Sequence, residues 1–213
     1  MKKLAGSVVL AALAAVVYFF GGFSSVKTDT PQEISKTEIP ARIAEVSKND
    51  LAPNAYIEAE VTKVTDGDTL EVKYKGKTQK VRLLCVDTPE SVKTNVQVQP
   101  YGKEASEYTK QKVLGKKVKL VFDKGLRDRY GRLLAYVIIN DQYFLNADLV
   151  RAGYARVEIV SPNSSQSEYF KNLQQQAVKD QKGIWGLPEG QQPFVKGKNG
   201  NYVPRYWDEK KAS

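Results

Sequence analysis

The run Val81-Arg82-Leu83-Leu84-Cys85-Val86 limits the possible folds more than any other stretch. Read as a strand that continues to Asp87, it places Val81, Leu83 and Cys85 on one face and Arg82, Leu84 and Val86 on the other. Both faces are apolar, so both are covered. Arg82 therefore sits on a covered face, where a guanidinium needs an anionic partner, either a structural carboxylate or a bound anion. The strand ends near Pro89, which has no N–H to continue a ladder, and two acids, Asp87 and Glu90, stand at its mouth. A cation inside the strand and two carboxylates at its end are costly unless something binds there, and a metal ion with a phosphate meets that need.

Two strands precede this one. Ile57 to Val64 alternates, with Ile57, Ala59, Val61 and Lys63 on one side, and Asp66-Gly67-Asp68 signals a turn into Thr69–Tyr74. Lys75-Gly76-Lys77 turns the chain again into the third strand, Thr78–Asp87, which makes an antiparallel meander. After a loop over 91–100, Tyr101 to Gly115 reads as a helix with Ala105, Tyr108 or Thr109, and Lys112-Val113 at helical spacing. Lys117–Phe122 and Leu133–Ile139 are the fourth and fifth strands. Asn146–Ala152 is a short helix, Tyr154–Val160 an extended stretch, and Ser164–Lys182 a longer helix marked by Phe170, Leu173 and Ala177. Five short strands with about three helices inserted predict an α+β domain built on a five-stranded OB-type β-barrel. We assign it residues 55–188.

Three further segments flank that domain. Lys2 and Lys3 precede an uncharged run from Leu4 to Ser25, 22 residues long, enough at about 1.5 Å per residue to cross a bilayer core of about 30 Å. Residues 1–26 are expected to be a signal anchor or a removed signal peptide, with the remainder extracytoplasmic. Residues 27–54 read as a polar spacer with a short helix near Ala41–Ser47. Residues 189–213 read as a flexible tail that mixes lysine and arginine with Tyr202, Tyr206 and Trp207.

Composition excludes several chemistries. The chain has 213 residues, a net charge of +9, no histidine and one cysteine. Charge of this sign suits a polyanion or an anionic membrane. A zinc site and Ser-His or Cys-His catalysis are out of reach, so any general base is a carboxylate, lysine or tyrosine. Cys85 reads as a small core hydrophobe.

Asp66-Gly67-Asp68-Thr69, Arg82-Leu83-Leu84, Val86-Asp87-Thr88-Pro89-Glu90, Tyr101-Gly102, Asp128-Arg129-Tyr130-Gly131-Arg132 and Ala135-Tyr136 occur in that order. In this they resemble the thermonuclease (staphylococcal nuclease) family over roughly Tyr56 to Trp185. The resemblance implies that Asp68, Asp87 and the Thr88 carbonyl ligate Ca²⁺. It implies that Glu90 is the general base, that Arg82 and Arg132 hold the phosphate, and that Arg129 and Tyr130 touch the nucleotide. It further implies hydrolysis of DNA and RNA to 5′-hydroxyl and 3′-phosphate ends. Carboxylate and carbonyl oxygens are hard donors of the kind Ca²⁺ prefers. We expect a monomer that meets a membrane only through its N-terminal segment.

The chain departs from the family pattern in three loops. Ser91-Val92-Lys93-Thr94-Asn95-Val96-Gln97 carries a single lysine where the family pattern is lysine-rich, Glu158-Ile159-Val160-Ser161 stands where base-packing tyrosines are placed, and the Asp123–Gly131 loop is a residue shorter. The competing class is a non-catalytic OB-type nucleic-acid-binding module, with a wall-binding adhesin-like module behind it.

Overall fold

A computed structural model describes residues 38–91 and 98–205; the apolar run at the N-terminus, residues 92–97 of the loop after Glu90, and Tyr206 and Trp207 lie outside them. Among the described residues no helix is long and apolar enough to cross a membrane.

Five strands form the body: β1 (Tyr56–Asp66), β2 (Thr69–Tyr74), β3 (Lys77–Leu83), β4 (Lys117–Val121) and β5 (Leu133–Ile139). They lie in the order β3-β2-β1-β4-β5, and a parallel pairing of β3 with β5, Val81 beside Leu133 and Leu83 beside Ala135, closes the sheet into a barrel. A two-residue strand, β6 (Tyr143–Phe144), extends β5. The OB-type expectation holds: closure through β3 and β5 leaves each of these strands hydrogen-bonded to a neighbour on both sides.

Alternation sets β1. Ile57, Ala59 and Val61 are buried while Glu58 and Glu60 face water. Lys63, expected on the buried side, is exposed. The register steps from Val61–Val72 to Lys63–Glu71, so Thr62 is an extra residue and the pleat changes parity beyond it.

Among the described residues four α-helices accompany the barrel, the three expected in the domain and the short one expected in the spacer. They are α1 (Ala41–Ala44), α2 (Gly102–Val113), α3 (Leu145–Arg151) and α4 (Ser167–Lys179). In α2 the buried stripe is Ala105, Thr109 and Val113, four residues apart, and Thr109 Oγ1 donates to Gly67 O at 2.7 Å, tying the helix to the β1–β2 turn. In α4, Phe170 and Ala177 are buried, and Phe170 stacks on Tyr136 of β5.

The structure revises three boundaries. The third strand stops at Leu83, not Asp87. Leu84 N bonds to Ala135 O, Cys85 takes a left-handed φ of 63°, and Asp87 instead pairs with Arg156 in the extended stretch after α3. Leu84, Cys85 and Val86 are consequently all buried, with no alternation. The spacer is, from Glu38 onward, laid against the barrel: Ile43 is buried in the core and Tyr169 OH donates to Glu38 O at 2.8 Å. The tail is a packed element through Arg205. Its strands β7 (Phe194–Lys196) and β8 (Tyr202–Pro204) form a hairpin, and Phe194 is buried with Ile184 and Trp185. Apolar residues at both ends of the chain, hidden among polar neighbours, account for these two packed extensions.

Candidate nucleic-acid active site

The β1–β2 turn, the end of β3 and the β4–β5 loop converge on one cavity of about 610 Å³. All eight residues singled out from the sequence line it. Asp68 comes from the turn, and Arg82, Asp87, Thr88 and Glu90 come from β3 and the segment beyond it. Arg129, Tyr130 and Arg132 come from the loop.

Asp68 is the best-held acid. Its Oδ2 accepts from Thr88 N at 3.0 Å and from Thr88 Oγ1 at 3.3 Å, while Oδ1 accepts from Thr69 Oγ1 at 3.0 Å. Gly67 permits this turn, because a Cβ there would lie 2.7 Å from Thr88 Cγ2. Burial works against the Asp68 charge, but Arg82 and the Thr88 N–H outweigh it and hold the carboxyl below its usual range.

Arg82 answers the question its covered position raised: its partners are carboxylates and backbone carbonyls. Nη1 lies 3.2 Å from Asp68 Oδ2 and donates to Leu83 O at 3.0 Å and to Val86 O. Nη2 lies 3.2 Å from Asp87 Oδ1 and 3.3 Å from Glu158 Oε2. Burial opposes the guanidinium charge, and Asp68, Asp87 and Glu158 more than offset it, raising its pKa.

Arg132 is built differently. Asp128 Oδ1 accepts from Tyr130 N and Arg132 N, shaping the loop, while Oδ2 takes Arg132 Nε at 2.6 Å. The Tyr130 ring is exposed at the rim, with Arg129 Cζ 4.8 Å and Arg132 Cζ 5.5 Å from its centroid. Glu90 is placed by its backbone: its N–H donates to Gln99 Oε1 at 2.9 Å and its carbonyl accepts from Gln99 N at 2.9 Å. A Cβ at residue 102 would lie 2.6 Å from that same carbonyl, which is why glycine follows Tyr101.

Four charged lining residues were given no role from the sequence: Asp66, Lys80, Arg156 and Glu158. Asp66 looked like a turn residue. Arg156 and Glu158 carried a usable signal, since Ala155 and Val157 alternate with them in an extended stretch and are buried on the opposite side. Arg156 donates Nε to Asp87 Oδ2 and Nη2 to Glu158 Oε1, both at 2.8 Å. With Arg82 this makes a closed ring of alternating charge, Arg82–Asp87–Arg156–Glu158.

Two further acids, Asp66 and Asp68, line the cavity beside the ring. Asp66 is pushed up to about 7 by burial and by the Asp68 charge. Burial, countered by Arg156 and Arg82 and reinforced by Glu158 and Asp68, puts Asp87 at about 6. Among the described residues no group of three or more His, Cys, Asp or Glu is arranged as a ready metal cage. Arg82 occupies the space between Asp68 and Asp87, bonded to both. The donor set itself fits a hard divalent cation: the candidate ligands, Asp68, Asp87 and the Thr88 carbonyl, are all oxygen.

The model of the staphylococcal nuclease homologue family matches residues 80–186. The chain is 37% identical over 185 residues to a thermonuclease of Staphylococcus intermedius, covering 87% of this chain and 99% of that protein. It is 48% identical over 125 residues to a thermonuclease of Staphylococcus hyicus, covering 59% of this chain and 73% of that protein. It is 41% identical over 167 residues to endonuclease YncB of Bacillus subtilis (strain 168), covering 77% of each. With its closed barrel and the cavity at the end of β3, the chain belongs to the thermonuclease-like family of staphylococcal nuclease homologues.

Proposed function

We propose that this protein is a Ca²⁺-dependent nuclease that hydrolyses phosphodiester bonds of DNA and RNA outside the cytoplasm, leaving 5′-hydroxyl and 3′-phosphate ends. One observation carries the reading: two acids, a carboxylate base and two arginines from three separate chain segments line a single cavity whose rim bears an exposed tyrosine. The names of the relatives, thermonuclease and endonuclease, support the same reaction class.

Asp68, Asp87 and the Thr88 carbonyl would hold Ca²⁺, which when bound supplies a positive charge against the phosphoryl oxygens. The chain's own groups do the rest. Arg82, released from its contacts with Asp68 and Asp87, and Arg132 would present planar N–H forks to the non-bridging oxygens, where charge gathers as water attacks phosphorus. Glu90 accepts the proton of that water. The bond to the 5′ oxygen breaks, and the oxygen leaves with the bonding pair and takes a proton from solvent water to become the 5′-hydroxyl. Tyr130, flanked by two guanidinium groups, offers a ring face for a base at the rim.

No single group suffices. Phosphodiester cleavage calls for acceleration of roughly 10¹⁷-fold, about 23 kcal/mol. A general base supplies on the order of 10²–10⁴, and arginine stabilisation about 10³–10⁵ in related phosphoryl transfer. The N-terminal segment, as an anchor or a removed signal, would place this activity on the extracytoplasmic side, with a monomer as the working unit.

The test is incubation of the purified protein with plasmid, single-stranded DNA and RNA, in Ca²⁺ or in EGTA. Cleavage in Ca²⁺ alone, with products that accept label at the 5′ end without prior phosphatase, is expected. DNA retarded but intact in Ca²⁺ would favour a binding module.

A further inference from the structure

The hairpin β7–β8 begins beyond residue 186, where the family match ends. It nevertheless reaches the cavity, which Pro204 lines. One of its backbone carbonyls, and one just before it, are spent on side chains that hold the site. Tyr202 O accepts from Arg156 Nη1 at 2.9 Å, and the hairpin's Phe194 ring lies under the same guanidinium, 5.4 Å from its carbon. Pro193 O, one residue before β7, accepts from Gln99 Nε2 at 3.4 Å and from Arg205 N at 2.9 Å.

Arg156 is buried, and its three nitrogens go to three different acceptors: Nε to Asp87, Nη2 to Glu158 and Nη1 to the hairpin. A planar fork pinned at three points around its edge has a single orientation. That orientation fixes Asp87 Oδ2, while Oδ1 is left facing Arg82. Gln99 does the equivalent for Glu90, since its Oε1 takes the Glu90 N–H while its Nε2 is held by Pro193 O.

We propose that the C-terminal hairpin is a strap that sets two acids of the site, Asp87 through Arg156 and Glu90 through Gln99, making Arg156 and Gln99 positioning residues. The proposal rests on the reading of this cavity as a Ca²⁺-dependent nuclease site.

The test uses the full chain. Calorimetric titration with Ca²⁺ in the absence of substrate should show Arg156→Ala binding the ion roughly 10- to 100-fold more weakly, as loss of a group orienting a ligand does. Arg156→Lys, which keeps the charge and loses the fork, should fall between. Gln99→Ala should leave the Ca²⁺ titration unchanged and lower kcat at constant KM, by up to on the order of 10²-fold for a misplaced base. Phe194→Ala, or the milder Phe194→Leu where alanine prevents folding, should move both readouts together. Wild-type Ca²⁺ affinity in Arg156→Ala and Arg156→Lys, or Phe194 variants that lower Tm alone, would overturn the strap. A wild-type protein that neither binds Ca²⁺ nor cleaves would instead overturn the underlying function; wild-type activity matched by every variant would overturn only the strap.

Discussion

Asp128 holds Arg132 at both ends: one carboxylate oxygen accepts the Arg132 backbone N–H at 3.0 Å and the other accepts Nε at 2.6 Å. The β4–β5 loop thus carries its own brace for the arginine assigned to the phosphate. Burial opposes the Asp128 charge, and its bonds to Arg132 prevail, keeping the carboxyl below its usual range. Asp128→Ala should therefore cut kcat/KM by on the order of 10²-fold, the cost of misplacing a group near the chemistry. Steady-state kinetics with an unchanged circular-dichroism spectrum checks this, and wild-type kcat/KM would contradict it.

Arg82 and Arg132 should separate in stability while agreeing in activity. Arg82 is nearly buried among three carboxylates, whereas Arg132 has one and is more open. Arg82→Ala strands buried charge and should cost about 3–5 kcal/mol, against about 1 kcal/mol or less for Arg132→Ala. Urea unfolding measures the difference. Both variants should lose most turnover.

Glu90→Gln should slow cleavage by at least about 10²-fold, the contribution of a general base, with Ca²⁺ binding retained. Calorimetry beside single-turnover kinetics reads both quantities. A parallel fall in Ca²⁺ affinity would place Glu90 among the ligands instead.

Cys85 makes a pH prediction. Burial pushes its thiol from 9.0 to about 12, against a weaker pull from the Tyr136 hydroxyl. The unfolded chain loses this proton first, so the contribution is whole below pH 9 and drains away between pH 9 and 12. Tm should fall through that interval, and Cys85→Ala should flatten the fall. Native protein at pH 8 should resist thiol reagents, because the thiolate is the reactive form; rapid labelling there would show the thiol is not sealed.

Much of the site was legible because its residues are local punctuation. Asp68 stands at a turn, Asp87 and Glu90 flank a proline, and Arg132 follows the Asp128–Gly131 turn, so short motifs located them. Arg82 was legible as a problem, a charge on a covered strand, though its partner Glu158 lies 76 residues away and no motif links the two. Arg156 was missed for a similar reason: its role comes from meeting Asp87 across a two-residue bridge that forms only after β3 ends early at Leu83. That early end was invisible in a run whose residues are apolar on either parity. The packed extensions were missed because single apolar residues, Ile43 and Phe194, do the anchoring, and composition averages them away.

A crystal grown with Ca²⁺ and inorganic phosphate should show an ion bound by oxygens of Asp68 and Asp87, with phosphate between the Arg82 and Arg132 guanidinium groups. An ion bound elsewhere, or a phosphate held by neither arginine, would contradict that assignment.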